Sequence, residues 1–219
     1  MNQIFDKTGF LISRNFLDNS CISLLQTYFA LKYEIIKYKK ETNAEEAPKK
    51  TNIIGGDVAS SYSFYADTLT EAILINKGQD VSNILNVNIA PTYSYARIYE
   101  KGDVLIPHTD RVSCEISATI PVQVSDNKPS TIYIANYDSF DAPRLTLDEI
   151  KKQGDYSEVI LQPGDALFYK GHTRYHWREP LESDWLFQFF IHYVNKDGPY
   201  SNASYDFRPM LGLDLTSRN

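Results

Sequence analysis

Residues 91–110, PTYSYARIYEKGDVLIPHTD, carry both the β-strand pattern and the polar motif from which a fold can be argued. Aromatic residues alternate with smaller ones over Tyr93–Tyr99, a period of two that is typical of a strand. A second short run, Val104–Pro107, follows a Gly-Asp pair that favours a turn. The stretch therefore predicts two consecutive strands that lead into His108-Thr109-Asp110.

Similar short runs continue towards the end of the chain. Gly, Pro, Asn or Asp separate them, and strands at this spacing are typical of a sandwich, jelly roll or barrel. The further runs are Glu115–Val124, Thr131–Ala135, Tyr156–Leu161, Asp165–Tyr169, Arg174–Arg178 and Trp185–Val194. We therefore expect a mainly β fold of the α+β class, a jelly roll whose core lies in residues 91–195.

Residues 1–90 have a more helical pattern. Apolar residues recur with a helical period after Asp18, and Thr68 and Glu71 have the spacing of a capping box ahead of a second helix. Residues 37–52 are charged and nearly free of apolar side chains, so they predict a mobile surface loop, with an active-site lid as the alternative. The sequence thus predicts a helical support region and a β core.

No Pro- or Gly-rich linker divides the chain, so residues 1–219 are expected to form a single domain. Residues 196–219 have no regular pattern and are expected to lie over the barrel as an irregular tail. The predicted architecture is therefore one β core with helices packed against it.

The composition limits the class of partner and the compartment. The net charge is −6, which argues against bulk binding of nucleic acid. Two cysteines, Cys21 and Cys114, are too few for a disulfide-rich scaffold and are expected to be free thiols. The sequence has neither an apolar run long enough for a membrane span nor the pattern of a signal peptide, so a cytoplasmic protein is predicted.

His108 and Asp110 are the first candidate metal ligands. Side chains at i and i+2 of a strand face the same way, so an imidazole and a carboxylate project side by side. A third ligand must come from a distant strand, and residues 169–178, YKGHTRYHWR, offer His172 and His176. Two histidines and one carboxylate leave coordination positions open, the arrangement expected of non-heme Fe(II) oxygenases.

The order of several motifs resembles that of the 2-oxoglutarate- and Fe(II)-dependent dioxygenases, in the branch that includes the prolyl-4-hydroxylases. The matching pieces are Tyr99-Glu100-Lys101-Gly102-Asp103, His108-x-Asp110, CEISATI at 114–120, PGDAL at 163–167 and His176-Trp177-Arg178-Glu179. The resemblance covers residues 90–195. It implies a double-stranded β-helix, the cupin-like form of the jelly roll.

The same resemblance implies His108, Asp110 and His176 as the iron ligands and catalytic centre. Among the two distal candidates it favours His176, because this residue directly precedes Trp-Arg as in the family's second ligand strand. His192 is expected to be a half-buried strand residue instead. The implied cofactors are Fe(II), 2-oxoglutarate as co-substrate and O₂, with ascorbate as an optional reductant.

The distal carboxylate of 2-oxoglutarate needs a cation, because Arg gives a two-pronged, charge-assisted contact. Here the sequence departs from the family, since Leu186 stands where many relatives have Lys or Arg. Arg178 shares a strand face with His176 and is the expected substitute, with Arg97 and Arg174 as alternatives. Tyr99 matches the family's tyrosine that contacts the co-substrate.

The strand face that carries Arg97 has two interpretations. Its residues are Tyr93, Tyr95, Arg97 and Tyr99. They can form an outward ladder of phenols around a guanidinium, or they can form a wall of the barrel mouth.

The resemblance implies an oxygenase that hydroxylates its substrate and releases succinate and CO₂. Asp110 favours hydroxylation, because halogenating relatives lose this carboxylate. The substrate is expected to be a small molecule or a peptide, and fold-level likeness does not choose between them. The alternatives are a jelly-roll binding module without catalysis and a metal-dependent isomerase or hydrolase of the cupin type.

Overall fold

A computed structural model describes residues 2–44, 48–51, 58–139 and 145–213. Its helices are α1 (Gln3–Thr8), α2 (Asn19–Glu41), α3 (Thr68–Asn76), α4 (Gly78–Leu85) and α5 (Leu147–Gln153). Its strands are β1 (Phe10–Ser13), β2 (Tyr62–Tyr65), β3 (Ile89–Glu100), β4 (Leu105–His108), β5 (Ile116–Val124), β6 (Ser130–Ala135), β7 (Tyr156–Leu161), β8 (Ala166–Tyr169), β9 (His176–Arg178) and β10 (Trp185–Asn195).

The strands form two antiparallel sheets. The larger has six strands in the order β1-β8-β5-β10-β3-β2, and the smaller has four in the order β4-β9-β6-β7. Side chains from both sheets meet in one apolar cluster, which includes Ile132 and Ile134 of β6 and Leu167 of β8. Two sheets that share an interior layer are the defining feature of a jelly roll, so the predicted fold is confirmed.

The central strand β10 is buried along nearly its whole length because both of its faces are covered. Phe187, Phe189 and Ile191 point into the core that the large sheet shares with the helices. The intervening residues Gln188 and His192 face the barrel interior and are also buried. This strand explains why the sequence there is almost continuously apolar and yet contains two isolated polar side chains.

Helix α2 packs on the large sheet and is longer than predicted. Asp18 caps its first turn, and Leu25, Phe29 and Ile36 join the main core. The helix ends at Glu41, so the first five residues of the predicted loop 37–52 are helical, and residues 45–47 and 52 lie outside the described residues. In the described ranges, no helix has both the length and the apolar content that crossing a membrane requires.

The expected capping box at Thr68 is wrong. Asp67 is the N-cap of α3, and its carboxylate accepts hydrogen bonds from the backbone N–H groups of Leu69 and Thr70. Glu71 instead points inward and forms an ion pair with Arg208 at 2.6 Å, with both side chains 2% exposed. This pair ties the C-terminal segment to α3, and that segment includes a 3₁₀ turn over Ser201–Phe207.

The first 90 residues also contribute two strands. The run Gly9–Leu17 predicts a short strand, and β1 lies within it, whereas the sequence pattern does not indicate β2. β1 pairs with β8 at one edge of the large sheet, and β2 pairs with β3 at the other. The region is therefore part of the β architecture as well as its helical support.

Candidate metal centre

Two neighbouring strands of the small sheet bring the candidate ligands together. His108 is the last residue of β4 and His176 the first of β9, and they stand directly opposite each other in the ladder. Their ring centroids are 4.2 Å apart. Asp110 lies just beyond the end of β4 rather than on it, and its backbone N–H donates to the Gly171 carbonyl at 2.8 Å.

The three side chains converge on one point. Asp110 Oδ1 lies 3.5 Å from His108 Nε2, and Asp110 Oδ2 lies 3.7 Å from His176 Nε2. These separations are too long for good hydrogen bonds. Ligand atoms at right angles around an ion, each at about 2.1 Å from it, would be roughly 3 Å apart. The spacing therefore suits an ion between the three groups better than direct contacts.

Backbone carbonyls fix the orientation of both rings. The Nδ1 atom of His108 contacts the carbonyl of Ile106 at 2.8 Å, and that of His176 contacts the carbonyl of Arg174 at 3.0 Å. A carbonyl only accepts, so Nδ1 must carry the proton in both rings. Each Nε2 then presents a lone pair to the shared point, which is how metal-binding histidines are usually held.

Burial and neighbouring charges set the protonation states that a metal ligand needs. Burial lowers the pKa of His176 to about 4, helped by the nearby His108. The pKa of Asp110 lies well below its usual range, because His176 and His108 outweigh the effect of burial, which alone would raise it. Near neutral pH the site therefore offers the neutral imidazole of His176 and the ionised carboxylate of Asp110. Imidazole and carboxylate donors fit ferrous iron.

A second group of potential donors shares Asp110 with Cys114 and His192. Its donors already contact other groups. Cys114 Sγ lies 3.0 Å from the Tyr93 hydroxyl, and His192 Nδ1 lies 2.9 Å from Ser117 Oγ. Burial raises the pKa of Cys114 well above its usual value, so the thiol stays protonated and is a poor ligand. The donors of His108, Asp110 and His176 are the better metal site in the described part of the chain.

A cavity of about 1110 Å³ opens above the three ligands. Tyr93, Tyr95 and Arg97 line one wall, so the face of β3 that carries them turns towards the cavity, and the outward ladder is wrong. Arg97 is buried and donates to the hydroxyls of Ser61 and Ser63. A space of this size exceeds the usual range for pockets that take drug-sized ligands.

Arg178 and Tyr99, the two residues expected to contact the co-substrate, lie next to each other in the barrel interior. The guanidinium carbon of Arg178 is 5.1 Å from the centre of the Tyr99 ring. Nε of Arg178 donates to the Thr131 carbonyl and Nη2 to the Ser130 hydroxyl. Nη1 of Arg178 is buried and makes no hydrogen bond with any described residue.

The other candidates lie in different surroundings. Arg174 is buried, and its Nε lies 3.4 Å from a carboxylate oxygen of Asp138. His172 packs against the ring of Tyr200, with the centroids 5.1 Å apart, and is not part of the ligand cluster. His192 is fully buried rather than half-buried, and it faces the barrel interior close to Asp110.

Sequence reasoning missed three kinds of residue around the site. Ser117 contacts the carboxylate of Asp110, and Gly171 lies directly against it. Asp206, from the C-terminal segment, lines the cavity and accepts hydrogen bonds from Arg111 and the Tyr65 hydroxyl, both at 2.5 Å. A lone Ser, Gly or Asp has no sequence signal, because these contacts depend on the register of distant strands.

No model of a known protein family matches the sequence, and a search of curated proteins found no significant relative. Solved structures, in contrast, match over most of the chain. HygX from Streptomyces hygroscopicus, solved with nickel and 2-oxoglutarate bound, is 15% identical with a TM-score of 0.56, over 89% of this chain and 85% of that one.

Two further structures match in the same way. SnoK, a non-heme α-ketoglutarate-dependent carbocyclase of nogalamycin biosynthesis, is 13% identical with a TM-score of 0.62, over 89% of this chain and 83% of its own. A prolyl-4-hydroxylase from Pseudomonas putida is 11% identical with a TM-score of 0.53, over 86% and 95%. The chain has the jelly-roll fold of these proteins, which confirms the sequence resemblance at the level of the fold.

Proposed function

We propose that the protein is a non-heme Fe(II)- and 2-oxoglutarate-dependent oxygenase. The observation that carries this proposal is the convergence of His108, Asp110 and His176 at the floor of a large cavity. The fold adds support, because solved structures that share it bind iron or nickel and 2-oxoglutarate. The sequence motif and the independent geometry thus point to the same chemistry.

In this proposal His108, Asp110 and His176 hold the iron through two imidazole nitrogens and one carboxylate oxygen. When bound, iron and 2-oxoglutarate supply the oxidant, because O₂ converts 2-oxoglutarate to succinate and CO₂ and leaves an oxygen atom for a substrate C–H bond. The chain holds both rings in orientation through their Nδ1–H bonds to backbone carbonyls. It therefore needs little reorganisation to receive the metal.

Arg178 and Tyr99 are the proposed contacts for the distal carboxylate of 2-oxoglutarate. Arg178 is a buried cation without a carboxylate partner among the described residues, and burial lowers its pKa. Such a charge is unfavourable unless an anion pairs with it. A dicarboxylate that reaches from the metal into the barrel would provide that anion.

The cavity wall of Tyr93, Tyr95 and Arg97 is the proposed substrate side of the site. Aromatic rings provide apolar area with few rotatable bonds, and the few polar groups fix orientation. The proposed reaction is hydroxylation, since Asp110 occupies the position that a halide would otherwise need. The proposed substrate is a small molecule or a peptide. HygX has been solved with hygromycin B, and the Pseudomonas putida neighbour is a prolyl-4-hydroxylase.

Metal binding is the first test. The purified protein is expected to bind one equivalent of Fe(II), Co(II) or Mn(II), and His108→Ala or Asp110→Ala should abolish this binding. His172→Ala is the matched control, because it removes a histidine that lies outside the ligand cluster. Stoichiometric binding in both ligand variants would overturn the assignment.

Release of succinate is the second test. The iron-loaded protein is expected to convert 2-oxoglutarate to succinate, and a panel of peptides and small molecules should increase the rate when a true substrate is present. A protein that binds iron and never consumes 2-oxoglutarate would fit the cupin-type isomerase or hydrolase instead. A protein that binds neither would fit the binding module.

A further inference from the structure

Two buried residues of the large sheet contact each other beside the carboxylate of Asp110. Ser117 of β5 and His192 of β10 stand directly opposite each other in the ladder. Ser117 Oγ lies 2.9 Å from His192 Nδ1 and 3.4 Å from Asp110 Oδ2. The three groups form a continuous polar chain from the middle of the large sheet to the metal site.

The chemistry of the groups sets the direction of the hydrogen bonds. A serine hydroxyl has one proton, and an ionised carboxylate only accepts. The charged oxygen of Asp110 is a stronger acceptor than a neutral ring nitrogen or the Cys114 carbonyl, which lies 3.4 Å from the same hydroxyl. Ser117 therefore donates to Asp110 Oδ2, and His192 must donate to Ser117 through Nδ1–H.

Packing holds both ends of this row of polar groups in place. The ring of His192 lies against that of Tyr93, with centroids 4.5 Å apart. On the other side, a Cβ atom at Gly171 would lie 2.6 Å from Asp110 Oδ2 and would also collide with Ser117 Oγ. Only glycine lets the backbone pass this close, so the contact between Ser117 and Asp110 depends on that position.

We infer that His192 and Ser117 are positioning residues that set the rotation of the Asp110 carboxylate and thereby its fitness as a metal ligand. The inference rests on the proposed function. Oxygen Oδ1 of Asp110 lies nearest His108, whereas Oδ2 faces both His176 and Ser117. A donor on Oδ2 restricts rotation about the Cβ–Cγ bond, and partners that orient ligands in this way are worth roughly 10- to 100-fold in metal affinity.

The test measures Co(II) affinity and the visible absorption of the Co(II) complex. Ser117→Ala removes the donor, and His192→Phe keeps a ring of similar shape while it removes Nδ1–H. Both variants are expected to weaken Co(II) binding by about 10- to 100-fold and to change the absorption spectrum. His192→Asn, which places an N–H near the position of Nδ1, is expected to recover most of the affinity.

A matched control separates positioning from general packing. Ser94 is another buried strand serine, bonded to Thr70 and outside the ligand cluster, so Ser94→Ala should leave Co(II) binding unchanged. The unfolding temperature of the metal-free variants reports stability independently. If His192→Phe does not fold, Ser117→Ala alone decides.

The outcomes distinguish this inference from the proposed function. If Ser117→Ala binds Co(II) as tightly as Ser94→Ala, with the same spectrum, the positioning role is wrong. If Asp110→Ala also keeps the metal, the proposed metal site itself is wrong. Loss of binding in Asp110→Ala together with weakened binding in Ser117→Ala supports both.

Discussion

The metal end and the arginine end of the barrel interior treat their buried polar groups differently. At the metal end, both histidine Nδ1 atoms contact backbone carbonyls, and the carboxylate of Asp110 has Ser117 beside it. At the arginine end, Nη1 of Arg178 and Oε1 of Gln188 are buried and make no hydrogen bond with the described residues. The polar groups at the metal end thus have partners within the protein, whereas these two atoms at the arginine end do not.

This difference has a physical meaning. Buried polar groups are nearly always hydrogen-bonded, and an exception needs an explanation. The satisfied groups around His108 and His176 hold a geometry that is ready for an ion. In the proposed function the unsatisfied groups at the arginine end contact the co-substrate, which would supply a partner and remove the cost of their burial.

Gly171→Ala is expected to have the largest combined effect, because it disturbs the tightly packed metal end and so lowers both metal affinity and stability. The added Cβ would lie within 2.7 Å of the Cys114 carbonyl and closer still to Asp110 Oδ2. We expect metal affinity to fall by about 100-fold and stability to fall by about 1–3 kcal/mol from overpacking. Co(II) titration and thermal unfolding check both values. Gly78→Ala is the control, since a Cβ there meets nothing within 4 Å, and equal behaviour of the two variants would contradict the prediction.

Arg178→Ala tests the arginine end of the barrel interior. Loss of a charge-assisted pair is expected to cost about 2–4 kcal/mol, a weakening of 2-oxoglutarate binding by roughly 30- to 1000-fold. Arg178→Lys should recover only part, because a point charge replaces a planar fork. Titration of the anaerobic iron complex, followed by its charge-transfer absorbance, measures the dissociation constant. An unchanged constant in Arg178→Ala would move the anchor to Arg97 or Arg174.

Measuring the metal affinity of Arg178→Ala tests whether the metal end and the arginine end act independently. Arg178→Ala should leave Co(II) binding nearly unchanged, because Arg178 is not one of the ligands. If this variant lost the metal, the two ends would not be independent, and the comparison would fail.

Gln188→Leu is expected to have a smaller effect at the same end. Gln188 Nε2 donates to the Thr119 hydroxyl, and the two ends of a side-chain amide can exchange roles when a ligand needs a donor. One neutral hydrogen bond is worth about 1 kcal/mol, so 2-oxoglutarate binding should weaken by roughly 5-fold. The same anaerobic titration measures it. No change, with a clear effect of Arg178→Ala, would exclude Gln188 from the contacts of the co-substrate.

Thiol labelling gives the smallest effect and tests the tight packing of the metal end. Cys21 is partly exposed and Cys114 is buried, and neither forms a disulfide. Burial raises the pKa of both thiols, that of Cys114 much further. We expect an alkylating reagent to modify Cys21 slowly in the native protein and Cys114 only after unfolding, as read by mass spectrometry. Rapid labelling of Cys114 would show that this end is loosely packed.

The strands of the β core were largely predictable from the sequence, because period-two patterns between turn residues identify strands without knowledge of their partners. The run Tyr156–Leu161 coincides with β7. The short strand β2 was missed, since four residues are too few to show a clear period of two, and it forms a strand by pairing with β3. Helix α2 passes through Lys37 to Glu41 because Ile36 is buried and Lys40 reaches the Tyr62 hydroxyl.

The residues of the candidate site were also only partly predictable from the sequence. A His-x-Asp motif and a distant histidine are visible in the sequence, and the structure places all three together. Ser117, Gly171 and His192 were not assigned to the site, because their contacts exist only when β5, β10 and the turn before β9 come into register. The assignments of Arg178, Arg97 and Tyr99 to the co-substrate and the single-domain boundary at 1–219 stay predictions.

The position of β10 has a consequence for biosynthesis. This strand is synthesised after β3 and β5, yet it lies between them in the middle of the large sheet. Until Asn195 has emerged, β3 and β5 each present an open edge, and such edges recruit other chains. Nascent chains that stall before Trp185 should therefore depend on chaperones. Folding should also be slow, because the pairing of β10 with β3 and β5 joins segments that are far apart in the sequence.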